Sequence, residues 1–177
     1  AARGPVEVPE LPVSITVDKI AVPEVKLGAP LFGQAATLSI DGRIELDGGA
    51  LDADLAIDRT DGVGGSLKLV TRYSNDSRQL ALDVDFREPA GGLLSKALSI
   101  ENEPALAFTV KGEGPIENFR ADVGLVADGD TLLGGAVTIT GEGDAYRLRT
   151  ELSGNLAPLV PAAYSDFVAG ASTLDID

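Results

Sequence analysis

From Leu38 onward the sequence alternates. Leu38, Ile40, Ile44 and Leu46 fall on one side of an extended chain, and Ser39, Asp41, Arg43, Glu45 and Asp47 on the other. Successive side chains of a β-strand point to opposite faces, so a period of two commits each run to a strand with one apolar and one wet face. The pattern returns as Leu51, Ala53, Leu55 and Ile57 against Asp52, Asp54 and Asp58, and as Leu67, Leu69 and Tyr73 against Lys68 and Arg72. Leu80, Leu82, Val84 and Phe86 then oppose Asp83, Asp85 and Arg87. Between the runs lie DGG, DRTDGVGG and SNDS, all turn-forming chemistry. The expected product is an antiparallel meander with one apolar and one solvated face.

Two stretches interrupt it. In EPAGGLLSKAL, Pro89 and the Gly91-Gly92 pair break the sheet, and Leu93, Leu94, Ala97 and Leu98 fit one side of a short helix. In GNLAPLVPAAYSDFVAG, Leu156, Leu159, Val160, Ala163, Tyr164 and Phe167 recur at helical spacing, with Asn155 placed to cap the start and Gly170 the end. Between the breaks alternation resumes through Leu106, Phe108 and Val110, then Val123 and Leu125, Val137 and Ile139, and Leu148 and Leu152. The halves superpose: Leu38, Ile40 and Gly42 match Phe108, Val110 and Gly112, while Leu67 and Leu69 match Val137 and Ile139. Each unit is four strands and a helix, roughly 65 to 70 residues, which marks a repeat protein.

The expected divisions are 1–34, a proline-rich lead-in of strands; 35–99, a first unit; 100–170, a second; and 171–177, the truncated start of a further one. In the lead-in, Val13, Ile15 and Val17 read as one strand and Val25 and Leu27 as a short second. The ending Thr173-Leu174-Asp175-Ile176-Asp177 repeats Thr37-Leu38-Ser39-Ile40-Asp41. That repetition, and the absence of any Met, predict a piece of a longer chain.

Composition narrows the chemistry. There is no Cys and no His, which removes disulfides, thiolate ligands and the most versatile general base. The net charge of −14, unbroken by any basic cluster, disfavours nucleic acid and anionic membrane surfaces as partners. Acidic-glycine clusters such as ADGDTLLGG lack the spacing of calcium loops and read as hairpin turns. GEGPIENF lacks the Lys-Ser/Thr of a phosphate loop and precedes a strand, so it too reads as a turn. No catalytic constellation, metal site or cofactor is expected.

The apolar face is the informative feature. It carries about twenty Leu, Ile, Val and Phe side chains, each worth roughly 1.5–3 kcal/mol on full burial. A second sheet, a curl of the sheet upon itself, or a bound apolar ligand would each cover it, and periodicity does not choose among them.

The passage ATLSIDGRIELDGGALDADLAIDRTDGVGGSLKLVTRYSNDSRQLALDVDFREPAGGLLSKAL, with PALAFTVKGEGPIENFRADVGLVADG and LAPLVPAAYSDFVAG, resembles the middle of TamB-like proteins in their α-proteobacterial form. These translocation and assembly module subunits belong to the AsmA-like group of bridge-like lipid transporters. The resemblance covers nearly the whole chain and rests on phrases rather than on a catalytic motif. It implies an all-β fold with two short helices: an elongated, curled, mostly antiparallel sheet, an open groove or β-taco with an apolar interior.

It also implies a protein anchored in the inner membrane of a Gram-negative bacterium, crossing the periplasm to an outer-membrane barrel partner, TamA, through regions absent here. The implied role is to conduct phospholipids between the membranes, with acyl chains as partners and no enzymatic step. Sheltering of outer-membrane protein strands is the alternative, and a structural β-sandwich spacer the second. The lining expected for such a groove is Ile15, Val17, Leu38, Ile40, Ile44, Leu46, Leu55, Ile57, Leu67, Leu69, Leu80, Leu82, Val84, Phe86, Phe108, Val110, Val123, Leu125, Val137, Ile139 and Leu148.

Overall fold

Each alternating run forms a strand, and each strand pairs with the next in the chain. The structure is a computed structural model describing residues 7–9, 13–142, 145–156, 159 and 172–176. Its elements are β1 (Ile15–Leu27), α1 (Ala29–Phe32), β2 (Ala36–Asp47), β3 (Ala50–Arg59), β4 (Ser66–Ser74), β5 (Gln79–Glu88), α2 (Leu93–Ala97), β6 (Leu106–Pro115), β7 (Asn118–Ala127), β8 (Asp130–Glu142), β9 (Ala145–Gly154) and β10 (Ser172–Ile176). The ten strands form one antiparallel sheet in the order β1 to β10, with β1 and β10 at its two edges. At about 4.8 Å between neighbours, such a stack extends on the order of 45 Å. The sheet is curled and open, not closed into a barrel.

Directly opposed residues of antiparallel strands project to the same face, so the register assigns the faces. One row crosses the sheet as Ile40, Ile57, Leu67, Phe86, Phe108 and Leu125. The next is Leu55, Leu69, Val84, Val110 and Val123. A third joins Val17, Ile44, Ala53, Thr71, Leu82, Gly112, Ala121 and Val137. The fourth runs Ile15, Leu46, Leu51, Tyr73 and Leu80, and on the far strands Phe119, Ile139 and Leu148.

Mid-strand glycines recur on this face. A Cβ on Gly42 would come within 2.5 Å of the Asp54 carbonyl oxygen, and one on Gly112 within 2.5 Å of that of Arg120. Both glycines sit in the first strand of their unit, where bare backbone lets the neighbouring strand close in and the sheet bend. The Phe119 ring lies over Gly112, its Cζ only 2.7 Å from where a Cβ would stand.

The two rims differ. On one, tight turns are stitched in sequence: Asn75 N–H donates to the Gly49 carbonyl at 3.0 Å, Ile116 to Arg78 at 2.8 Å and Gly141 to Glu117 at 2.8 Å. The opposite rim carries α1, α2 and the longer connections. There Gln34 donates through Nε2 to the Gly91 carbonyl at 3.0 Å and accepts from Lys96 Nζ at 2.9 Å, tying the two helices together.

Two details differ from the sequence reading. The lead-in forms one strand, β1, rather than two, because register shifts between Val17 and Ile20 and between Val22 and Val25 absorb the irregular alternation around Pro23. α1 follows Gly28 with a proline in its first turn, in a stretch whose periodicity gave no helical signal. α2 occupies the first break; the second expected helix, within 155–170, lies for the most part outside the described residues.

Candidate functional site

The expected lining residues all fall on the one face defined by these rows, with Leu38 two residues along β2 from Ile40. No second layer covers it among the described residues. Most of these side chains are only half-buried, and at the margins Leu148 stays 49% and Ile15 44% exposed. Soluble monomers rarely leave contiguous apolar patches above a few hundred Å² in water. An apolar face running from β1 to β9 is a surface that a second apolar body would stabilise.

Two clusters interrupt the opening. Near the tight-turn rim, Tyr73, Ile116, Phe119 and Ala121 are buried, with Val8, Leu80, Leu82, Val110, Ile139 and Tyr146 packed against them. Near the helical rim, Ile100, Leu106, Ala127 and Leu132 are buried, with the half-buried Phe86 and Leu159 packed against them. The first cluster holds a segment from far away in sequence. Val8 N–H donates to Asn75 Oδ1 and Asn75 Nδ2 donates to the Val8 carbonyl, both at 2.9 Å. Asn75 thus meets the backbone of residue 8 as a neighbouring strand would.

The first unit holds a separate pocket of about 290 Å³ at the helical rim, walled by Leu27, Phe32, Leu38, Ile57, Leu67, Phe86, Leu93 and Leu94. Its exposed lining is almost wholly apolar, although two charged residues stand in its outermost row. Arg59 and Glu88 continue the inner faces of β3 and β5 past Ile57 and Phe86, with Gly65 between them. Glu88 is buried and spent: its carboxylate accepts from Leu94 N–H at 2.9 Å and Ser95 N–H at 2.8 Å, capping α2 in place of Gly92, which offers no side chain. Arg59 donates through Nε to both Asp61 oxygens, at 2.9 and 3.0 Å. Its side chain is only 5% exposed, and its buried Nη1 has no hydrogen-bond partner.

The outer face is a lattice of exposed ion pairs. Asp52 receives Arg43 at 3.0 Å and Arg72 at 2.9 Å, and Lys111 meets Asp83 at 2.9 Å. The Arg87 hydrogen bond holds the Asp85 carboxyl below its ordinary range, against a smaller opposing effect of desolvation. Asp83 likewise raises the Lys111 ammonium. Among the described residues no group of acidic side chains is arranged to hold a metal ion, and no helix is long and apolar enough to cross a membrane.

Sequence reasoning passed over Phe32, Phe119 and Leu133 as face residues. The Thr131-Leu132-Leu133 stretch carries a register shift, so alternation there assigns no side. It also passed over Arg59, although Leu55, Ile57 and Arg59 share one parity, a cation standing where the pattern calls for an apolar residue. Comparison with family models, with curated proteins and with solved structures gave no match to this chain.

Proposed function

We infer that this chain is the central part of a periplasm-spanning protein whose apolar trough conducts phospholipids between the inner and outer membranes. The observation that carries this is the half-exposed apolar face continuous across the strands, with no second layer on it among the described residues. Aliphatic side chains solvate acyl chains by dispersion and exclusion of water, without directional bonds. Weak contacts repeated along an open seam let a chain slide where one tight pocket would hold it. In this reading the parent is anchored in the inner membrane and meets an outer-membrane barrel partner, TamA, through other regions.

Leu82 lies mid-face, two residues from Val84. In cells carrying the whole protein, Leu82→Asp should lower transfer of labelled phospholipid several-fold while the protein still folds, with a melting point lowered by the contact it loses to the Tyr73–Phe119 cluster. Normal transfer by the folded variant contradicts a conducting role.

One observation favours a second occupant, an extended polypeptide. The Val8–Asn75 amide pair seats a backbone segment against the Tyr73–Phe119 cluster, the geometry a groove sheltering unfolded strands would use. Asn75→Ala should then weaken capture of unfolded outer-membrane polypeptides and leave lipid transfer intact.

A further inference from the structure

We propose that the pocket at the helical rim of the first unit is a headgroup site for an anionic amphiphile, with Arg59 receiving the phosphate or carboxylate and the apolar rows beneath it the tail. This rests on the groove reading above and adds to it a polarity and a place.

The sheet itself supplies the polarity. Along β3 the inner face runs Leu55, Ile57, Arg59, and along β5 Val84, Phe86, Glu88, so the apolar rows end in one polar row at the rim. Between Arg59 and Glu88 stands Gly65, whose missing Cβ would lie 3.8 Å from the Cβ of each. The gap left there is about one methyl group wide, with the Arg87 carbonyl oxygen 3.5 Å from the same point. A ligand with its tail over Ile57, Leu67 and Phe86 would have its head beside this gap.

Among the described residues, the one buried donor left without a partner decides the chemistry of the head. The charged residues lining the pocket are Arg59, Arg87 and Glu88. Glu88 is committed to the α2 amides, and Arg87 is paired with Asp85 at 2.7 Å. Arg59 remains: Asp61 engages its Nε, while Nη1 is buried and without an acceptor. An unpaired guanidinium nitrogen away from water is costly, and a phosphate or carboxylate oxygen is the acceptor that relieves it best, through a charge-assisted bond. Asp61 sits in the 60–65 loop, exposed at 60–63, so bringing the guanidinium to the pocket asks for movement in that loop and in its bonds to Asp61.

The test compares amphiphiles of one tail length on the folded chain by titration calorimetry, below their critical micelle concentrations. Monododecyl phosphate should bind at least about tenfold more tightly than dodecyl maltoside, a modest return for one charge-assisted contact away from water. Inorganic phosphate alone should give no saturable binding. Arg59→Gln should bring the two amphiphiles to equal affinity, and Arg59→Lys should keep most of the preference. Equal binding of both by the wild type overturns the headgroup site and leaves the groove standing. Binding of neither removes the apolar groove reading along with it. Inorganic phosphate binding as tightly as dodecyl phosphate also overturns the proposal, since the tail then contributes nothing. Should Arg59→Gln not fold, the wild-type comparison alone decides.

Discussion

Gly112 concentrates the demands of a curled sheet in one residue. Its inner face is occupied by the Phe119 ring and the backbone of β7, so the position has no room for a methyl group. Gly112→Ala should cost about 1–3 kcal/mol, the usual range for overpacking, read as a lower urea midpoint. Gly134→Ala is the control: nothing lies within 4 Å of its Cβ position, and its stability should change little. Equal losses in the two would mean that close approach at Gly112 does not shape the sheet. On the outer face, Asp85 is held below its ordinary range by Arg87. A carboxyl lowered on folding stabilises the fold above its unfolded pKa, and that contribution disappears as pH falls through the folded value. Asp85→Asn should therefore be slightly less stable than wild type at about pH 7, and the difference should shrink to nothing as pH falls below the ordinary carboxyl value near about 4 and through the lowered folded one. Urea midpoints across that range would check it. Lys111 runs the other way: raised by Asp83, its contribution is lost at alkaline pH.

At the level of elements, α2 is a five-residue helix that could not persist alone. Glu88, at the end of β5, supplies what Gly92 cannot, by accepting the N–H groups of Leu94 and of the fully buried Ser95. Glu88→Ala should destabilise the chain by about 1.5–3 kcal/mol, the range for hydrogen bonds to a charged group, and loosen the roof of the rim pocket. Glu88→Gln should recover part of that loss. An unchanged urea midpoint in Glu88→Ala would mean that α2 is held by other contacts. The helix was legible beforehand and its cap was not, because a cap supplied from the preceding strand leaves no mark in the helix's own sequence. The strands were legible for the opposite reason: β2 to β5 alternate over most of their length, with Val70 and Thr71 reversed in β4, because one solvated face favours that pattern. β1 was read as two pieces because its register shifts break the period at Pro23. The inner position of Arg59 was open to parity, yet its site was not, since the pocket depends on α1 and α2 meeting from residues about sixty apart.

For the whole molecule, the decisive property is that one sheet presents two faces of opposite character. Rows of Leu, Ile, Val and Phe lie on one side and a lattice of ion pairs on the other, and the register keeps the two apart through the middle of β2 to β6. The adjacent residues Leu82 and Asp83 therefore occupy different worlds, as do Val84 and Asp85. Photocrosslinking groups at these four positions of the whole protein in living cells separate the faces with no change elsewhere. A lipid-conducting trough predicts phospholipid adducts from Leu82 and Val84 and essentially none from Asp83 and Asp85. Equal yields from all four positions, or inner adducts that are polypeptide without lipid, would contradict it.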